Sequence, residues 1–244
     1  MMKTTTNTET EKVTSEVDGL VQRSNKALAE LKTYTQAQID ELCEKVAVAA
    51  LDNHMKLAKM AVEETGRGVV EDKAIKNIYA SEYIWNSIRH DKTVGILKDD
   101  DEKQLMEIAE PVGIVAGVTP VTNPTSTVVF KTLISLKGRN TIVFGFHPQA
   151  QKCCAETARI IQTAIAAAGG PADAVLYIEH PSIDATNALM HHPDVATILA
   201  TGGPSMVTAA YSSGKPALGV GPGNGPTYVE KTADIKQAVN DIVL

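Results

Sequence analysis

The chain has little cysteine, little aromatic mass and no excess of positive charge. Its 244 residues hold 3 cysteines, 1 tryptophan, 3 phenylalanines and 6 tyrosines. Three cysteines, two of them adjacent at Cys153 and Cys154, cannot build a disulfide framework. The opening stretch MMKTTTNTETEKVTSE lacks the apolar core of a secretory signal, and with the sparse cysteines it points to a reducing cytoplasm. No apolar run reaches the roughly 18 residues of a bilayer-spanning helix, so no membrane segment is expected. With 23 Lys+Arg against 29 Asp+Glu, a formal charge of -6 and no basic stripe, the chain lacks the clustered cations that nucleic-acid phosphates demand. Internal repeats and low-complexity tracts are also missing. What is present, 43% hydrophobic and 21% charged residues, is the composition of an ordinary globular protein with room for one large or two modest domains.

Residues 1–12 read as a tail, and residues 13–104 as a helical region. Val17, Leu20, Val21, Leu28 and Leu31, then Ile39, Leu42, Val46 and Ala50, recur at helical spacing. Thr35 followed by Gln38 forms a capping box that opens the second helix, and Gly66 and Gly68 mark stops. The stretch 69–89 is a further amphipathic helix whose Tyr79, Tyr83 and Trp85 are expected in the core or at a subunit interface. The acidic run 99–102 reads as a solvated turn at the domain boundary.

Beyond it, over residues 105–244, short apolar runs alternate with helical segments. Strands are expected at 113–118, 141–146, 174–178, 197–200 and 217–220, and helices at 125–136, 149–168, 182–190, 205–212 and 233–244. Near-continuous apolar strands with one helix per crossover predict an α/β fold, a Rossmann-like parallel sheet covered on both faces by helices.

Four loops fall at carboxyl ends of these strands, the edge where open α/β sheets bind ligands. The first is Thr119, Pro120, Val121, Thr122 and Asn123; the second is His147-Pro148. The third is the glycine turn Thr201-Gly202-Gly203-Pro204-Ser205, whose following helix start could receive a phosphate. The fourth is the glycine-rich stretch 214–225, with Gly221. Asn123, between Pro120 and Pro124, has two readings at this point: a turn or helix cap, or a side-chain amide that donates to an oxyanion. His191 and His192 close a helix with no ligand-spaced carboxylate or cysteine beside them, so no metal is expected. Cys153 and Cys154 read as small apolar fillers near a helix start.

The runs EPVGIVAGVTPVTNPTSTVVFKTLISLKGRN, TNALMHHPD, ILATGGPSMV and AAYSSGKPALGVGPGN, with LAKMAVEETGRGVVEDKAIKNIYASEYIWN before them, closely resemble the aldehyde dehydrogenase module of the fermentative bifunctional aldehyde/alcohol dehydrogenases. The resemblance covers nearly the whole chain after its first dozen residues. It implies reversible conversion of acetyl-CoA and NADH to acetaldehyde, CoA and NAD through a cysteine thioester, with coenzyme A as co-substrate. It also implies a homo-oligomer, filamentous in long forms of the family. On the matching positions, Asn123 is the oxyanion donor, and Thr119, Pro120, Val121, Thr122, His147, Pro148, Gly202, Gly203, Ser205 and Gly221 contact the cofactor. No acidic residue follows the second strand in FGFHPQAQ, so the choice of NAD over NADP comes from the resemblance.

Two departures from the family's pattern matter. Hydrolytic aldehyde dehydrogenases carry a glutamate in the loop that here reads LGVG, residues 218–221, and its replacement favours a thiol over water as acyl acceptor. The family's nucleophilic cysteine lies beyond residue 244, and Cys43, Cys153 and Cys154 do not match it. The expectation is therefore an inactive N-terminal fragment whose catalytic domain is missing, with an exposed apolar patch where that domain would pack. Two other readings stand beside it: a non-catalytic nucleotide-binding or filament-assembly module, and a stand-alone acylating aldehyde dehydrogenase of a microcompartment.

Overall fold

The structure, a computed structural model, describes residues 3–243, with side chains from residue 12 onward. It opens with helices α1 (Lys3–Leu31), α2 (Gln36–Asp52), α3 (His54–Thr65), α4 (Val70–Ile78) and α5 (Ile84–Ile88). A widened, π-helical turn at Tyr79–Tyr83 joins the last two. Thr35 and Gln38 form the reciprocal capping box at the start of α2, and Gly66 ends α3 with φ 63, the left-handed cap that glycine adopts without strain. Helix α1 starts ten residues earlier than the sequence led us to expect, inside the stretch read as a tail. No glycine or proline interrupts residues 3–18, so nothing there breaks the helix.

An antiparallel hairpin follows, β1 (Gly95–Asp100) and β2 (Leu105–Ala109). The acidic run is thus half strand and half turn: Asp99 and Asp100 pair with Met106 and Leu105. The boundary expected at residue 104 falls at the hairpin tip. Neither strand shows alternation because both faces are largely exposed, which is why pattern reading passes over them.

The rest is a five-stranded parallel sheet. Its elements in chain order are β3 (Ile114–Val118), α6 (Pro124–Lys137), β4 (Thr141–Gly145), α7 (Gln151–Ala167), β5 (Val175–Tyr177), α8 (Ile183–His191), β6 (Val195–Thr201), α9 (Pro204–Tyr211), β7 (Ala217–Val220) and α10 (Ile235–Val243). The strand order is β5-β4-β3-β6-β7, so the chain winds outward from β3 to one side and then returns to build the other. That reversal, between β3 and β6, is the switch point at which a doubly wound sheet opens a crevice.

All five residues of β3 and of β4 are buried. One face of the sheet packs against α6 and α7 through Val115, Ile142, Phe144 and Val175, with α2 outside those helices; the other packs against α1 and α8 through Ile114, Ala116, Val143 and Ile198. Gly117 has to be glycine because an added Cβ would sit 2.7 Å from the Phe144 ring. Of the helical region α1 thus covers the sheet itself, and α2 to α5 form an outer layer over α6 and α7. Trp85 is buried, but Tyr79 and Tyr83 are 60% and 61% exposed and stack on each other on the surface. Helix α10 buries no residue and exposes Ile235, Val239 and Ile242.

Candidate functional site at the sheet switch point

Parallel register brings the four loops to one edge. Val118 pairs with Gly145 on one side and Ala200 on the other, and Thr201 pairs with Val220. The ends of β4, β3, β6 and β7 are therefore neighbours, each strand about 4.8 Å from the next. His147-Pro148, Thr119 to Asn123 and Gly202 to Ser205 lie side by side across the switch point. Gly221 lies one strand further out, at the head of a wholly exposed segment, 221–230.

Helix starts distinguish these loops. The first N–H groups of a helix attract anions unless the protein supplies its own. At α7 the protein does: the Glu64 carboxylate accepts from Lys152 N–H at 2.8 Å and Cys153 N–H at 2.7 Å. At α8, Ser182 caps the helix, and Glu16 accepts from the Glu179 N–H at 2.7 Å just before it. Helices α6 and α9 have no side-chain cap. These two open starts flank the switch point. At Gly203 and Gly221 an added Cβ would meet nothing within 4 Å, so internal packing does not explain either glycine, and both leave backbone open to a ligand.

Asn123 is the N-cap residue of α6 but makes no capping bond with its side chain. Its backbone carbonyl accepts from Thr127 N–H and from Thr127 Oγ1–H. Thr119 N–H donates to Gly145 O at 3.2 Å, tying the loop to the end of β4, and its side chain lies 3.9 Å from Cys154 Sγ. His147 accepts from Gln149 N–H through Nδ1. Burial, then the nearby Arg67 cation, lowers the His147 pKa, which keeps that nitrogen an acceptor near neutral pH.

Three lysines that sequence reading passed over hold this edge. Lys131, from the apolar face of α6, is 3% exposed and donates to Val118 O and Leu199 O, both at 2.6 Å, so one ammonium ties β3 to β6 beside the switch point. Burial pushes its pKa down to about 7. Lys73 and Lys76 reach the first loop from α4. A lysine in an amphipathic helix looks like a solvated residue; the one available signal is that Lys131 falls three residues after Val128 on the buried face.

The other candidates do not join the site. His191 bonds the Asn187 carbonyl and His192 pairs with Asp18 of α1 at 3.3 Å. Among the described residues no group of three or more His, Cys, Asp or Glu is placed to hold a metal ion, and no helix is long and apolar enough to cross a membrane. All three cysteines are buried. Burial pushes the Cys43 thiol up to about 12 and raises Cys154 well above its ordinary value, while the Cys153 thiol donates to Ala150 O at 3.3 Å.

The sequence model of the aldehyde dehydrogenase family matches residues 3–244. The chain belongs to the aldehyde dehydrogenase family. It is 58% identical over 234 residues to aldehyde-alcohol dehydrogenase 2 of Entamoeba histolytica, covering 95% of this chain and 27% of that protein. An acetylating aldehyde dehydrogenase structure from Geobacillus thermoglucosidasius matches with TM-score 0.87 at 51% identity, over 96% of this chain and 52% of the other. A propionaldehyde dehydrogenase of Rhodopseudomonas palustris, solved with bound propionyl-CoA, matches with TM-score 0.76 at 35% identity, over 93% of this chain and 50% of the other. The chain thus spans about a quarter of the Entamoeba relative and half of the solved aldehyde dehydrogenases. The resemblance to the acylating module is borne out, and with it the α/β fold. The aldehyde dehydrogenase family is one of oxidoreductases that use nicotinamide cofactors.

Proposed function

We propose that this chain forms the NAD-binding part of a cytoplasmic, homo-oligomeric, CoA-acylating acetaldehyde dehydrogenase. The reaction is acetyl-CoA and NADH to acetaldehyde, CoA and NAD, reversibly, through a cysteine thioester. The observation that carries this reading is the pair of uncapped helix starts, α6 and α9, on either side of the switch point. A dinucleotide pyrophosphate fits there, with Gly202, Gly203 and Ser205 on one side and Thr119 to Thr122 on the other. When bound, the nicotinamide supplies the hydride.

This chain's own contribution to the chemistry is Asn123. As the thioester carbonyl gains negative charge, the Asn123 Nδ2–H donates to its oxygen. None of the three cysteines is the nucleophile: each is buried, and neither Cys43 nor Cys154 has the lowered pKa that a reactive thiolate requires. The segment 218–221 offers no carboxylate to activate water, which leaves the thiol of coenzyme A as the acyl acceptor.

NADH titration of the 244-residue chain, followed by fluorescence, is expected to saturate, while acetyl-CoA-dependent NADH oxidation stays at background. No saturable binding, or turnover above background, overturns the proposal. A second reading, an assembly module, draws on the exposed Tyr79–Tyr83 stack and the bare apolar stripe of α10. Sedimentation that shows self-assembly in a chain that does not bind NADH would favour it.

A further inference from the structure

An asparagine amide is ambiguous as an oxyanion donor, because the same side chain presents an acceptor when it is flipped. A free amide would offer its carbonyl lone pairs to the developing negative charge for part of the time. Something has to fix the flip, and the structure supplies it from a different element.

Lys76 Nζ lies 3.0 Å from Asn123 Oδ1. An ammonium has three donors and no acceptor, so the atom facing it must be the amide oxygen. The NH2 arm is thereby turned away, and among the described residues it donates to no protein group. One turn earlier on α4, Lys73 Nζ donates to Thr122 O at 2.8 Å. One residue after Lys76, Asn77 accepts from Thr125 Oγ1–H at 2.8 Å and spends its own NH2 on His54 O at 3.0 Å. Three side chains of α4 therefore grip residues 122, 123 and 125. Lys73 and Asn77 hold the loop itself. Lys76 alone holds the reactive side chain.

We propose that Lys76 is a positioning residue for Asn123, fixing the amide so that Nδ2–H faces the reacting carbonyl oxygen. The proposal rests on the reading of Asn123 as oxyanion donor and adds to it the group that makes the amide a donor only. It also assigns α4 a part in the site, although α4 precedes the dinucleotide-binding sheet in the chain and contributes no strand-end loop.

The test is side-chain amide NMR on the 244-residue chain labelled with 15N-asparagine, the Asn123 signals being assigned by their loss in Asn123→Asp. In the wild type one Nδ2–H2 pair with a high side-chain 15N order parameter is expected. In Lys76→Met the two flips interchange rapidly about Cβ–Cγ, so the pair stays single, moves to a population-weighted position and its order parameter falls. Lys76→Arg, which again presents only donors, returns both toward the wild-type values. Lys76 is exposed, and unchanged Asn25 and Asn140 signals report an intact fold. If the whole spectrum moves in Lys76→Met, Lys76→Arg decides alone: a wild-type order parameter supports the proposal and a lowered one overturns it. An unshifted pair with the wild-type order parameter in Lys76→Met overturns it as well. The measurement needs no turnover, so its failure leaves the donor role of Asn123 standing, and loss of that role, read from the activity of Asn123→Ala, leaves the orientation result intact.

Discussion

Two residues carry opposite electrostatic tasks at the switch point. Asn123 is neutral, half-buried and free at its donor end, so Asn123→Ala in the enzyme that unites this chain with its nucleophile is expected to lower kcat about a hundred- to a thousandfold, with NADH affinity of the chain unchanged. Steady-state kinetics beside fluorescence titration checks it; an equal loss in both would mean that the residue shapes the loop rather than the reaction. Lys131 is a buried cation held only by carbonyl oxygens. Its folded pKa of about 7 lies below the ordinary 10.5, so the unfolded chain binds more protons between these values. Its contribution to stability therefore rises with pH through that window and is lost as pH falls toward 7. Urea unfolding between pH 7 and 8, below the ordinary thiol pKa of about 8.5, should show a rising stability whose slope is reduced in Lys131→Met. Equal slopes would show that Lys131 stays solvated. The backbone loops around both residues were legible as strand-end turns, because proline and glycine punctuate them. The lysines were not, because a charged side chain folded back onto the sheet looks in sequence like one pointing to water.

At the scale of elements, legibility followed periodicity and capping. The Thr35–Gln38 box was readable because both partners lie three residues apart, and the structure shows both bonds. Thr35→Ala is expected to cost about 1 kcal/mol, measured as a shift of the denaturant midpoint at constant m-value. A neutral result would mean that the packing of α2 onto α6 and α7, through Ile39, Leu42 and Val46, fixes the helix start without the cap. The five parallel strands were found within a few residues, and in β3, β4 and β5 burial on both faces writes an unbroken apolar run. The β1–β2 hairpin was missed for the converse reason, and the break between α2 and α3 at Asn53 carries no glycine or proline to announce it. The π-helical turn at Tyr79–Tyr83 likewise leaves no mark in sequence, since its extra residue changes the phase of the helix only after the fact.

Taken whole, the molecule is a two-sided sheet with one poorly covered flank. Edge strand β7 exposes Leu218 and Val220, and α10 adds Ile235, Val239 and Ile242. An apolar stripe of this kind binds hydrophobic dye and drives association. Val239→Ser with Ile242→Ser should lower dye fluorescence and the sedimentation-detected oligomer fraction while leaving the unfolding midpoint in place. A lowered midpoint would show that α10 contributes to the folded core.

The partners of α1 carry a consequence for how the chain is made. Arg23 pairs with Asp173 and Asn25 with Asp194, contacts spanning 150 and 169 residues. Helix α1 thus leaves the ribosome well before the residues it packs against. At about 5–20 residues per second, 150 residues take roughly 8 to 30 s. For that interval Val17, Leu20 and Val21, fully enclosed in the finished molecule, have no sheet to cover. An amphipathic helix with an uncovered apolar face is what nascent-chain chaperones bind, and the topology that packs α1 against α8 sets how long that face stays open.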